Sequence, residues 1–353
     1  MNKKTSFKND YSEGVHPLLL DALSKTNDEQ LEGYGLDKYS VQAKMIIQEK
    51  LNINNCDIHF LVGGTQTNRV FIKASLKSYE SVISSKSGHI NVHEAGAIED
   101  VGHKINFVKS ENGKITPSDI EMIVKSHTDE HMVKPALVYI SNSTEVGTIY
   151  TLSEIEDIYR CCRNNGLLLY MDGARLAQAL SSPFCDYKLS DIHGFFDGYY
   201  IGGTKNGLFA GEALVINNEN LKKDFRYYIK QAGGLLAKGR LLGVQFYEIF
   251  RSDLYFDLAK NAVDKALALA EKLSGLGIRF KCRPETNQIF PIFSNELIKY
   301  LYEYFDFYIW ESMDRDFSVA RIVTSWATTE KHVDNFFTKV KGYLDEKGRQ
   351  SCW

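Results

Sequence analysis

The chain has no excess of either charge. Its 42 Lys and Arg stand against 45 Asp and Glu, a formal net charge of -3 over 353 residues. That leaves no electrostatic grip for nucleic acid or for an anionic membrane surface. Long apolar runs are missing too. None approaches the ~18 residues of a membrane span, so none is expected. The first ten residues carry lysines but no apolar stretch, so they do not read as a secretory signal, and a cytoplasmic protein is expected. Cysteines are few: Cys56, Cys161, Cys162, Cys185, Cys282 and Cys352 form no CxxC pair and no zinc-ribbon spacing. They read as reduced, mostly buried thiols rather than a disulfide framework or a nucleophile. There are no repeats, no low-complexity tracts and no linker rich in Pro or Ser. Gly63-Gly64-Thr65 is neither a GxGxxG fingerprint nor a Walker loop, which argues against dinucleotide or ATP.

What remains is an ordinary globular composition, 44% apolar and 25% charged. The length suggests roughly two domains. In the first two thirds, strand-like and helix-like segments alternate. Asp57–Val62, Ala136–Ser141, Leu167–Met171 and Gly198–Ile201 read as strands, the second as a continuous apolar run fit for burial on both faces. Thr151-Leu-Ser-Glu154 is a capping box. Behind it Leu152, Ile155, Ile158, Tyr159 and Cys162 recur at helical spacing until Gly166. This rhythm predicts an α/β fold with a mostly parallel sheet covered on both faces. From about residue 235 the character changes. Leu241–Leu273 is long and helix-prone, Gln288–Phe293 and Ala320–Val323 are short strand candidates, and Val333, Phe336, Phe337, Val340 and Leu344 share one face of a closing helix. We expect an arm over residues 1–20, a large α/β domain over 21–240, and a smaller C-terminal α+β domain over 241–353.

Ligands of open α/β sheets gather at the carboxyl ends of the strands. The residues predicted there are Gly64-Thr65, His89, Thr144-Glu145, Asp172-Gly-Ala-Arg175 and Thr204-Lys205. Together they offer backbone N–H groups for a phosphate, an imidazole, a carboxylate, a guanidinium and an amine. Pyridoxal 5'-phosphate needs this set. Its aldehyde needs a lysine, here Lys205. Its pyridine nitrogen needs a carboxylate, here Asp172. Its phosphate needs a helix N-terminus, here residues 63–68. Its ring needs a flat partner, here His89, and a substrate carboxylate needs an arginine fork, from Arg175 and Arg321. Each residue alone has a plainer reading: Asp-Gly is a common turn and most lysines are solvated. Their co-occurrence at successive strand ends carries the argument. His89, His93, Glu94 and His103 also admit a metal reading, but no full ligand set is visible and none is expected.

Asp172-Gly-Ala-Arg175-Leu, Gly202-Gly-Thr-Lys205-Asn-Gly, Ser143-Thr-Glu-Val-Gly-Thr148 and Arg321-Ile-Val-Thr-Ser-Trp-Ala327 together resemble the low-specificity L-threonine aldolases. These are fold-type-I pyridoxal-phosphate enzymes of the aromatic amino acid β-eliminating lyase group. The resemblance runs from Phe7, with Asn9-Asp10-Tyr-Ser and His16-Pro17, to about Thr329. It implies that Lys205 anchors the cofactor, Asp172 faces the pyridine nitrogen, His89 stacks on the ring and shuttles protons, and Gly64, Thr65 and Thr204 hold the phosphate. It implies that Lys238 or Arg240 reaches the phosphate of a neighbouring subunit, and that Asn9, Arg175 and Arg321 bind the amino-acid substrate. The implied reaction splits threonine or allo-threonine between Cα and Cβ into glycine and acetaldehyde, in a homodimer or homotetramer. The alternatives are another chemistry on the same cofactor, such as β-elimination or transamination, or an idle cofactor-binding protein. Two departures stand out. Thr144 lies where one branch of the family has a histidine, and Tyr34-Gly-Leu-Asp37 has one carboxylate fewer than the family's Tyr-Gly-Asp-Asp.

Overall fold

The computed structural model describes residues 4–347. Its centre is a seven-stranded sheet, with β1 Asp57–Leu61, β2 Glu80–Ser85, β3 Ile105–Val108, β4 Lys134–Ser141, β5 Leu168–Asp172, β6 Gly198–Gly202 and β7 Glu212–Ile216. The spatial order is β1-β7-β6-β5-β4-β2-β3. All strands are parallel except β7, which runs antiparallel to both β6 and β1. Because side chains alternate across a strand, each strand feeds two cores. Val138, Ile140, Leu169, Met171, Tyr199 and Ile201 enter one. Tyr139, Tyr170, Tyr200 and Leu214 enter the other. Both faces are covered by helices, so the central strands β4, β5 and β6 are buried over nearly their whole length, and burying each large apolar side chain is worth about 1.5–3 kcal/mol.

Local signals set the helices that follow. Thr116 and Asp119 form a capping box before Pro117–Ser126, and Thr151 and Glu154 form one before Leu152–Asn164. The second helix ends where Gly166 takes a positive φ of 65°. The helix Gly64–Ser75 follows β1 directly, so its N-terminus opens at the carboxyl edge of the sheet.

The long helix-prone stretch is two helices, Arg240–Phe250 and Leu254–Gly275. The second spans two cores. Tyr255, Leu258 and Ala259 belong to the large one, whereas Ala266, Leu269, Ala270 and Leu273 belong to a C-terminal one. Residues 241–259, assigned from sequence to the small domain, therefore pack with the large domain. The C-terminal core carries an antiparallel sheet of Ile292–Ser294, Phe317–Val323 and Tyr308–Ser312. The expected strand over 288–293 is two pieces separated at Pro291, because proline has no N–H for a ladder. Gln288 pairs with Val323, which sets Gln288 beside the strand that carries Arg321. The N-terminal arm closes the structure: Thr5–Ser6 pairs with Phe305–Asp306, and Phe7 enters the C-terminal core. Cys352 lies outside the described residues.

Candidate active site

Asp172 is the last residue of β5 and is buried. Its carboxylate receives four donors. Ala174 N–H and the Tyr200 hydroxyl reach Oδ1 at 3.0 and 2.5 Å. Asn68 Nδ2 and the Tyr139 hydroxyl reach Oδ2 at 3.0 and 2.7 Å. Burial opposes the charge, but His89 and these hydrogen bonds outweigh it and hold the carboxyl below its ordinary value. The turn is tight. A Cβ on Gly173 would lie 1.8 Å from the Tyr200 carbonyl oxygen, so no other residue fits between β5 and β6 without movement.

A second carboxylate sits beside it. His89 Nδ1 is 2.7 Å from Glu94 Oε1, which also accepts from Asn68 Nδ2 at 2.8 Å. Asn68 thus bridges Glu94 and Asp172, and Tyr170 donates to its Oδ1 at 3.1 Å. Glu94 Oε2 is buried without a partner among the described residues. Donor atoms of His89, Glu94 and Asp172 lie within 4.8 Å of one another, close enough for one ion. The two Asp172 oxygens are already doubly bonded by donors, however, which makes this a proton-linked network rather than an open ligand set. His103 points elsewhere, with Nδ1 3.0 Å from the Glu80 carbonyl.

Lys205 lies in the short turn Thr204–Asn206 after β6. Its Nζ makes no hydrogen bond among the described residues. Desolvation lowers its pKa, Arg175 lowers it further, and Asp10, Asp172 and Glu212 act in the opposite direction. The result is an amine biased toward its neutral, nucleophilic form. Glu212, which accepts the Gly203 N–H at 3.1 Å, is raised toward its neutral form by burial.

Arg175 comes from the turn after β5, and Arg321 from the strand Phe317–Val323 of the C-terminal sheet. Arg175 is committed to Asp10, Nε to Oδ2 at 2.7 Å and Nη2 to Oδ1 at 2.9 Å. Asn287 also donates to Asp10 Oδ2, at 2.9 Å. Among the described residues Arg321 meets neutral groups, Gln288 Oε1 at 2.6 Å from Nη2 and the Trp310 ring at 5.8 Å. Burial and the Arg175 charge lower its pKa to about 10. An anion placed between the two arginines would relieve both effects.

The remaining assignments divide. Gly64 and Thr65 open the Gly64–Ser75 helix, whose positive end faces the sheet edge. A Cβ on Gly64 would lie 2.8 Å from the Tyr200 hydroxyl. The Thr204 hydroxyl is used within its own loop, accepting Gly211 N–H at 3.0 Å. Asn9 Oδ1 accepts Tyr11 N–H and the Ser12 hydroxyl at 3.0 and 2.9 Å, so its neighbour Asp10 makes the contact with Arg175. Arg240 is tied to the Glu29 and Asn27 carbonyls of its own chain at 2.5 and 2.6 Å, whereas Lys238 is exposed. Thr144 shares its hydroxyl with Thr148 at 2.7 Å. Next to it, half-buried Glu145 accepts the His89 backbone N–H at 2.9 Å and the Ser141 hydroxyl at 2.6 Å. Burial raises the Glu145 pKa.

Residues 22–296 match the Beta-eliminating lyase family. The chain belongs to that family. Two members at similar distance are both low specificity L-threonine aldolases. The one from Pseudomonas aeruginosa is 33% identical over 84% of this chain and 86% of its own, and that of a Pseudomonas species is 30% identical over 97% and 99%. The solved structure of threonine aldolase from Leishmania major superposes with a TM-score of 0.95 at 45% identity, covering 96% of this chain and 99% of that one. The architecture is that of the fold-type-I pyridoxal-phosphate enzymes, as expected from the sequence.

Fold and site together fit the cofactor. A recessed lysine without a hydrogen bond, a buried carboxylate kept ionised, and a glycine-opened helix N-terminus meet at one sheet edge. Sequence reasoning missed Asp10, Asn68, Glu94, Tyr139, Tyr200 and Gln288. Asp10 and Glu94 sit inside motifs already singled out. Asn68 stands four residues beyond Gly64, one helical turn along the same face, which is a readable signal. The tyrosines read as core because their rings are core, and only their hydroxyls enter the site.

Proposed function

We propose that the chain is a pyridoxal-phosphate-dependent aldolase. It cleaves the Cα–Cβ bond of L-threonine, L-allo-threonine and related β-hydroxy-α-amino acids, releasing glycine and an aldehyde. The observation that carries the reading is the meeting of Lys205, Asp172 and the Arg175–Arg321 pair at one sheet edge, in a chain whose 33% and 30% identical relatives are low specificity L-threonine aldolases. Lys205 would hold the cofactor's aldehyde carbon, Asp172 its pyridine nitrogen, His89 its ring face, and the first turn of Gly64–Ser75 its phosphate. When bound, the cofactor supplies an electron sink for the pair of electrons left on Cα.

The chain's own groups do the rest. Arg321, lacking an anionic partner, binds the substrate carboxylate, and Arg175 adds a second positive wall. This fixes the amino acid's orientation before the bond breaks. Asp172 stays charged because four donors stabilise it. His89 Nδ1 is committed to Glu94, which leaves Nε2 to take the β-hydroxyl proton and return a proton to Cα. Thr144 is bound to Thr148, so it is not the base.

We also propose a homo-oligomer and a cytoplasmic location. Leu18, Leu20, Leu36, Val41 and Met45 are exposed apolar side chains on successive segments, as an interface would require. Lys238 is exposed beside them, between Ala237 and Gly239, which lie against Gly33–Gly35. No helix among the described residues is long and apolar enough to cross a membrane.

The test is product analysis. Protein loaded with cofactor is incubated with L-threonine, L-allo-threonine, phenylserine and L-serine. Glycine with acetaldehyde or benzaldehyde supports the proposal. Pyruvate and ammonia from serine, without aldehyde, would assign β-elimination instead.

A further inference from the structure

A small cavity, partly open to solvent, lies beside edge strand β1 and is lined by neither Asp172 nor Lys205. The helix Lys38–Lys50 bounds it on one side and the helix Phe225–Gln231 on another. Each of these elements, including β1, contributes one basic group: Lys44, Arg226 and His59. No carboxylate lines it. Lys44 has no hydrogen-bond or ion-pair partner among the described residues. His59 is more than nine-tenths buried, and its Nε2 meets no partner among the described residues. Its ring is stacked on Phe225, with centroids 5.3 Å apart and planes at 28°, so its direction is fixed. Arg226 spends one donor on the Tyr34 carbonyl at 3.1 Å and keeps others free.

We infer that this cavity is a second, non-catalytic binding site for a phosphate group, in the form of inorganic phosphate or a small phosphomonoester. Three donors converging from three elements suit a tetrahedral oxyanion, which accepts from several directions at once. The electrostatics agree. Burial lowers the Lys44 pKa, and Arg226 lowers it further. Burial, Lys44 and Arg226 drive His59 down to about 3, so its imidazole is neutral and can donate from Nε2. Asp57 and Asp37 pull on Lys44 from outside, but neither lines the cavity. A bound dianion would supply the missing counter-charge. The other walls, among them Phe60, Leu235 and Leu242, are apolar, and the cavity opens to solvent, so the organic part of an ester would point outward.

Calorimetry on the cofactor-loaded protein tests this, because the cofactor's own phosphate site is then filled. The protein is dialysed free of phosphate and titrated with inorganic phosphate and, separately, with glycerol 3-phosphate. We expect saturable binding of one equivalent per chain. Lys44→Met and Arg226→Met should each weaken it at least tenfold, leaving the cofactor absorption and the basal turnover unchanged. His59→Phe, which keeps a ring against Phe225, should also weaken it. Thermal melting checks that each variant is folded. Tighter binding of the ester identifies an organic phosphate as the ligand, and tighter binding of the free ion identifies phosphate itself. No saturable binding of either probe, or affinities unchanged in folded Lys44→Met and His59→Phe, would overturn the inference.

Discussion

Arg175 holds Asp10 with two prongs at 2.7 and 2.9 Å, and the Asp10 side chain is completely buried. The pair joins the N-terminal arm to the turn after β5, so the arm is part of the site. Removing one partner of a buried pair leaves an uncompensated charge, at a cost of about 3–5 kcal/mol. Asp10→Ala should lower stability by that order in urea unfolding and weaken substrate binding as well. The burial penalty raises the Asp10 pKa, but Arg175 and Lys205 bring it below its ordinary 3.8. Its stabilisation is therefore fully present above 3.8 and is lost as pH falls through the lower folded value. A wild-type stability curve that weakens in that acid range, with the step absent in Asp10→Ala, is the expected result.

Lys205 is pushed toward the free amine by burial and by Arg175. Arg175→Met removes that cation and also frees the Asp10 charge, which favours the ammonium. Both changes raise the Lys205 pKa. The pH at which Lys205 captures the cofactor aldehyde should therefore move upward, read from the cofactor absorbance in a pH titration. A midpoint that stays or falls would contradict the assigned electrostatics.

Asp172→Asn keeps much of the shape but removes the charge that four donors maintain. Cofactor should still bind, whereas kcat should drop by about 100-fold or more, the scale of losing one preorganised electrostatic group. Full activity in steady-state kinetics would refute the role.

Arg321→Lys exchanges a fork for a point charge. Charge-assisted hydrogen bonds are worth about 1.5–3 kcal/mol, so KM should rise tenfold or more, with a smaller change in kcat. Equal losses in kcat and in kcat/KM would instead place Arg321 in transition-state stabilisation.

Gly173 links fold to chemistry. A Cβ there meets the Tyr200 carbonyl oxygen at 1.8 Å. Gly173→Ala must push β5 from β6, at a cost of about 1–3 kcal/mol, and it shifts Asp172 with it. Lower stability together with weakened cofactor affinity is the expected pair of results.

Much of this was legible in the sequence because period and spacing carry it. Four central strands, the Thr151 capping box and the strand-end positions of Asp172 and Lys205 follow from local pattern. The motifs named the family, and the family comparisons agree. Strands β2, β3 and β7 were not read. β3 has only four residues, and β2 (Glu80–Ser85) is rich in serine, so its burial depends on neighbours rather than on composition. The division of Leu254–Gly275 between two cores was not legible, because a continuous helical pattern does not show which core its residues face. The hydrogen-bond network around Asp172 was invisible for the same reason: Tyr139, Tyr170 and Tyr200 come from three strands, and only the register of the sheet brings their hydroxyls together.

The most direct test is chemical trapping. The cofactor-loaded protein is reduced with borohydride, digested, and mapped by mass spectrometry. A single pyridoxal-phosphate adduct on the peptide containing Lys205, absent from Lys205→Ala, is the expected result. An adduct on another lysine, or none in protein that cleaves threonine, would contradict the account at its centre.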